Sequence, residues 1–62
     1  MIAKHPEVLI KRYGGSRLYD TETLTYVSLG DLADMLANGR RFIVIEAGTG
    51  KDITREILKG LH

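Results

Sequence analysis

The chain has 62 residues, a formal net charge of +1, one proline, no tryptophan and no cysteine. A chain this short forms one small domain that buries only about 60% of the surface its unfolded form exposes. Disulfides are excluded by composition, and the two histidines, His5 and His62, stand at opposite ends, so a partner subunit is the remaining reinforcement for a marginal core. The lack of cysteine fits a reducing cytosol. No apolar run approaches the roughly 20 residues that span a bilayer, and the first residues lack the apolar core of a signal peptide. The expectation is a soluble, cytoplasmic protein without a membrane role.

Met1 to Pro6 has no periodicity and ends in a residue that cannot donate a ladder hydrogen bond, so residues 1–6 read as a flexible arm and 7–62 as the domain proper. Glu7 to Tyr13 alternates Val8 and Ile10 with Leu9, Lys11 and Tyr13, the pattern of a strand. Gly14-Gly15 supplies the positive φ of a tight reversal. Arg17 to Tyr19 is then a return strand, Asp20 to Thr23 a polar turn, and Leu24 to Val27 a third strand. This predicts a small α+β fold built on an antiparallel meander of hairpins with two short helices.

Ser28 is a good N-cap, with Asp31 placed where the helix dipole favours an anion. Leu29, Leu32, Ala33 and Leu36 form one apolar stripe, and Gly39 is a natural stop. Arg41 to Ala47 is apolar on both faces, which predicts a strand covered on both sides by helices or by a second subunit. Gly48 to Lys51 turns the chain, and Thr54 is expected to cap a last helix carrying Ile57, Leu58 and Leu61. That helix is too short to be stable undocked. Ile43, Val44, Ile45, Ile57, Leu58 and Leu61 are therefore the candidate interface of a homodimer or higher even-numbered oligomer.

Charge is uneven along the chain. Lys4, Lys11, Arg12 and Arg17 face Glu7 alone up to Tyr19, whereas Asp20, Glu22, Asp31 and Asp34 follow with no cation before Arg40. A cationic ribbon of Lys11, Arg12, Tyr13, Ser16 and Arg17 is the candidate DNA-binding element, because arginine makes bidentate contacts to phosphate and guanine and a two-stranded ribbon fits a groove. The competing reading is an edge strand whose charges only discourage aggregation. Tyr13, Tyr19 and Tyr26 can stack on bases, but a packed cross-strand cluster is the commoner use of such residues. Gly50-Lys51 resembles the end of a phosphate loop, yet Ile45 stands where its first glycine is required, so the segment reads as a turn. Asp31 and Asp34 lack further ligands for a metal, no nucleophile–base set can be assembled, and neither cofactor nor enzyme activity is expected.

Arg17-Leu18-Tyr19-Asp20-Thr21, preceded by Ile10-Lys11-Arg12-Tyr13 and followed by Tyr26-Val27-Ser28-Leu29, resembles the signature of the PHB/PHA accumulation regulator DNA-binding domain. Phe42 to Ile45 and Gly50 to Leu58 fall at matching distances, so the resemblance covers nearly the whole chain. It implies the N-terminal DNA-binding module of a bacterial polyhydroxyalkanoate synthesis repressor, acting at promoters of granule-associated genes. Its response to the polyester granule would come through a C-terminal region absent here. Where the family usually has Pro-Asn-Arg, this chain has Gly14-Gly15-Ser16, which removes one cation and loosens the turn. The rival reading is an oligomerisation or protein-interaction module with weak or no DNA binding.

Overall fold

The computed structural model describes residues 7–61; the arm expected over residues 1–6 lies outside that range. Three strands, β1 (Glu7–Tyr13), β2 (Arg17–Asp20) and β3 (Thr25–Val27), are followed by helix α1 (Leu29–Ala37), strand β4 (Arg41–Glu46) and helix α2 (Thr54–Lys59). This is the expected α+β class, with one correction. The sheet is mixed, in the order β3-β2-β1-β4: β1–β2 and β2–β3 pair antiparallel, but β4 returns parallel to β1, from Glu7 opposite Arg41 to Arg12 opposite Glu46. The continuous apolar run Phe42-Ile43-Val44-Ile45 is the composition that parallel strands favour.

Strand alternation sorts the side chains to two faces. Val8, Ile10, Leu18, Phe42 and Val44 turn to one face and form the core with Leu32 of α1 and Ile53 and Ile57 around α2. Val27, Met35 and Leu61 pack on its rim. Ile10, Leu32 and Val44 are wholly inaccessible to solvent. Val44 and Ile57, grouped with the interface residues on sequence alone, thus belong to the chain's own core. Leu61 is half-buried against it, Leu58 is exposed, and Ile43 and Ile45 are half-buried on the opposite face. Among the described residues, none covers that second face.

Ser28 caps α1 as its sequence predicts. Its Oγ accepts from the Asp31 N–H at 3.1 Å while Asp31 Oδ2 accepts from the Ser28 N–H at 2.9 Å, a reciprocal capping box. The buried stripe of α1 differs from expectation. Leu32 is buried and Met35 packs against the core, whereas Leu29 and Leu36 are exposed. Thr54 does not cap α2: the N-cap is Ile53, without a side-chain hydrogen bond. Thr54 Oγ1 instead accepts from the Val44 N–H at 2.8 Å and ties α2 to β4. The turn from Gly48 to Lys51 brings Asp52 back beside Ile45 in a single antiparallel bridge, as a hairpin turn should.

Candidate nucleic-acid interface

The β1–β2 hairpin is the most cationic stretch of the described chain, and its backbone explains its shape. Gly14 and Gly15 have φ of 27° and 75°, a left-handed region that costs glycine little. The reversal sets Tyr13 opposite Arg17, Arg12 opposite Leu18 and Lys11 opposite Tyr19. Because paired residues share a face, Lys11, Tyr13, Arg17 and Tyr19 all project to the open side of the sheet. Across β2, Tyr19 is paired with Tyr26, and across β1, Lys11 is paired with Ile45 and Leu9 with Ile43.

Arg12 goes the other way. It lies on the helix-covered face, where both its Nε and its Nη2 sit 2.7 Å from Glu46 Oε1. A guanidinium held this way by its register partner is largely neutralised, so the structure separates Arg12 from the other cations of the ribbon. Lys11 and Arg17 make no ion pair among the described residues. Arg41, opposite Glu7, adds a third cation to the open face.

The tyrosines form the expected cross-strand ladder, but on the open face and not in the core. Tyr13 and Tyr19 meet edge to face with centroids 6.4 Å apart and Tyr19 and Tyr26 at 5.1 Å. Tyr13 is 40% exposed and Tyr26 61%. Ser16 is exposed at the tip of the hairpin. Of the residues marked by sequence, Lys11, Tyr13, Ser16 and Arg17 are therefore brought together at the tip and on the open side of β1 and β2. Tyr19, Tyr26 and Arg41 complete this surface. The signal for them was the two-residue period carried across the strand pairs, and it needed the register to be read.

Asp20 fixes the far end of the hairpin. It is buried, and its Oδ1 accepts from the N–H groups of Glu22 at 2.8 Å and Thr23 at 3.2 Å, an Asx turn of the kind aspartate favours. Leu24, next in line, has a positive φ of 60° and an exposed side chain. Away from the sheet, the Thr54 backbone N–H donates to Asp52 Oδ1 at 2.9 Å, and with help from the Thr54 hydroxyl it holds the Asp52 carboxyl below its ordinary value. No cluster of histidine, cysteine or acidic side chains able to hold a metal occurs among the described residues. No described helix is long and apolar enough to cross a membrane.

A mixed sheet with two helices on one face and cations and tyrosines on the other defines a small α+β module whose open surface suits a polyanion. The family comparison makes this specific. Residues 9–61 match the PHB/PHA accumulation regulator DNA-binding domain, and the chain belongs to that family: it is a DNA-binding regulatory module, and the family is not one of enzymes. It is 44% identical over 52 residues to an uncharacterized protein of Allochromatium vinosum, covering 84% of this chain and 34% of that protein. It is also 40% identical over 50 residues to an uncharacterized protein in the phbA 5' region of Thiocystis violacea, covering 81% of this chain and 36% of that protein. The chain thus spans about a third of the length of these relatives. No solved structure matches it.

Proposed function

We propose that the chain is the DNA-binding module of a cytoplasmic bacterial repressor of granule-associated genes, and that it contacts promoter DNA with the β1–β2 hairpin. The observation that carries this reading is that Lys11 and Arg17, which make no ion pair among the described residues, lie beside Tyr13 and Ser16 at a hairpin tip of two strands, a width the major groove admits. Membership of the family supports DNA as the partner, and the place of the Thiocystis relative in the phbA 5' region supports the link to polyester storage. Arg12 serves as a strut through Glu46 and makes no DNA contact. Granule sensing is assigned to the part of the full-length regulator that this chain does not contain.

The module works as a homodimer or higher even-numbered oligomer, which would place two hairpins at a fixed spacing on a symmetric operator. The half-buried Ile43 and Ile45 and the exposed Leu58 support this reading. The test is a titration of promoter duplex at two salt concentrations. The log of the binding constant falls with log salt at a slope of about −0.9 per phosphate contact in each subunit. A salt-independent affinity overturns the hairpin assignment. A melting temperature independent of dilution overturns the oligomer, because mass action ties an oligomer's stability to concentration.

A further inference from the structure

Most of the tyrosine ladder lies behind the hairpin tip. Tyr13 is at the tip, opposite Arg17, but Tyr19 is set back opposite Lys11 and Tyr26 lies on the third strand. Strands about 4.8 Å apart make a four-stranded sheet roughly 14 Å wide between its outer strands, more than the ~12 Å of a major groove. A duplex that takes in the β1–β2 tip therefore leaves the face behind it outside the groove. Yet that face carries the composition of a base-stacking platform. Each edge-to-face contact covers at most one face of one ring, so most ring faces of the ladder are left uncovered by it, and Tyr26 is 61% exposed. Lys11 lies opposite Tyr19 and Arg17 opposite Tyr13, while Arg41 and Glu7 face each other toward the far end of the sheet; the cations beside the rings make this surface complementary to a phosphate backbone.

We infer that the open face of the sheet binds unpaired nucleotides, with Tyr13 and Tyr26 stacking on bases and Lys11 and Arg17, which flank the rings, holding the phosphates. Aromatic side chains on a sheet, interleaved with cations, are how sequence-tolerant single-strand binders work, because every base offers a π face. The inference shares with the proposed function the premise that the ligand is nucleic acid. It adds a second mode, in which the tip engages duplex and the platform takes a locally opened strand.

The probe is an oligothymidine of about 12 nucleotides, within the site size of single-strand binders, titrated at low salt against the chain and its Tyr26→Ala, Tyr13→Ala and Tyr26→Phe variants. With no tryptophan in the chain, tyrosine emission reports the platform directly. The expected result is quenching of that emission on binding. Each alanine variant should lose roughly tenfold in affinity, and Tyr26→Phe should stay at the parental level. No binding of oligothymidine, or binding by the parent without quenching, overturns the inference even if a variant fails to fold. Binding indifferent to Tyr26→Ala in a folded variant does the same. If duplex binds and the single strand does not, the platform falls and the hairpin reading stands; the reverse outcome keeps the platform and removes the hairpin.

Discussion

The two faces of the sheet are made by alternate residues of the same strands, and they have opposite chemistry. On the helix-covered face β1 contributes Val8 and Ile10, both buried, and then Arg12, whose charge is matched by Glu46. On the open face the intervening residues are Leu9, Lys11 and Tyr13, and the charge of Lys11 is matched by nothing described. The difference teaches that the two-residue period of a strand divides a packed, charge-matched face from an open, cationic one. Neighbouring positions such as Lys11 and Arg12 look alike in sequence and face opposite sides of the sheet.

The sharpest way to break this division is from the covered side. Ile10→Ala removes a fully buried side chain and should cost about 2–5 kcal/mol, enough to unfold much of a domain this small; urea denaturation measures it, and a loss well under about 1 kcal/mol would mean the core is not where the structure places it. On the open side, replacing Lys11 and Arg17 together by Ala should leave the melting temperature nearly unchanged. Duplex binding should lose about two phosphate contacts, seen as a salt slope shallower by about 1.8 for each bound subunit. Unfolding of that variant would show that the open face is structural.

A smaller effect sharpens the contrast in the opposite direction. Gly15→Asn with Ser16→Arg adds a cation at the tip, and asparagine tolerates the left-handed φ of position 15, where an added Cβ meets nothing within 4 Å. Duplex affinity should rise by a few-fold at low salt, with less gain at high salt; equal affinities would place the tip away from DNA. Arg12→Ala should then cost only about 0.5–1 kcal/mol, since the Arg12 and Glu46 side chains are 32% and 25% exposed and water screens the pair. Its duplex salt slope should match the parent's, and a slope as shallow as that of Arg17→Ala would return Arg12 to the DNA-binding set.

The smallest effect is one of pH. The folded state lowers the Asp52 carboxyl, so the contact with Thr54 stabilises fully above the ordinary carboxylate range and is lost as pH falls through the lowered value. Asp52→Asn, which keeps an acceptor and removes the titration, should slightly flatten the acid side of the melting curve. An unaltered acid limb would show that Thr54 favours the carboxylate no more than water does.

Local features of the chain were legible and long-range ones were not. Gly14-Gly15, the Asp20 turn and the Ser28 cap depend on residues a few positions apart, and each reads directly from its chemistry; that Asp31 closes a reciprocal box with Ser28 needed the structure. The parallel pairing of β1 with β4 joins residues more than thirty positions apart, and no local preference encodes it. The same limit bears on the cation ribbon and on α1. Arg12 was grouped with Lys11 and Arg17 because the partner that claims it, Glu46, is distant in sequence. Leu29 and Leu36 fit a helical stripe, but where the sheet meets that stripe depends on topology, which selects Leu32 and Met35. The tyrosine ladder was foreseen from three adjacent strands, while its outward direction followed only from the register.

The late return of β4 also sets the order in which this domain can form. The β1–β2 and β2–β3 hairpins are local and can close within microseconds, but the strand that completes the sheet on the other side of β1 and the helix that covers the core come last along the chain. Long loop closure must precede any gain from that pairing, which slows folding relative to an all-local meander. On the ribosome, the hairpin that bears Lys11 and Arg17 leaves before β4, with Val8 and Ile10 uncovered until Phe42 to Ile57 have followed. A nascent or truncated chain ending before β4 would hence display the cations without the scaffold that aims them, and would show an apolar strand face open to aggregation.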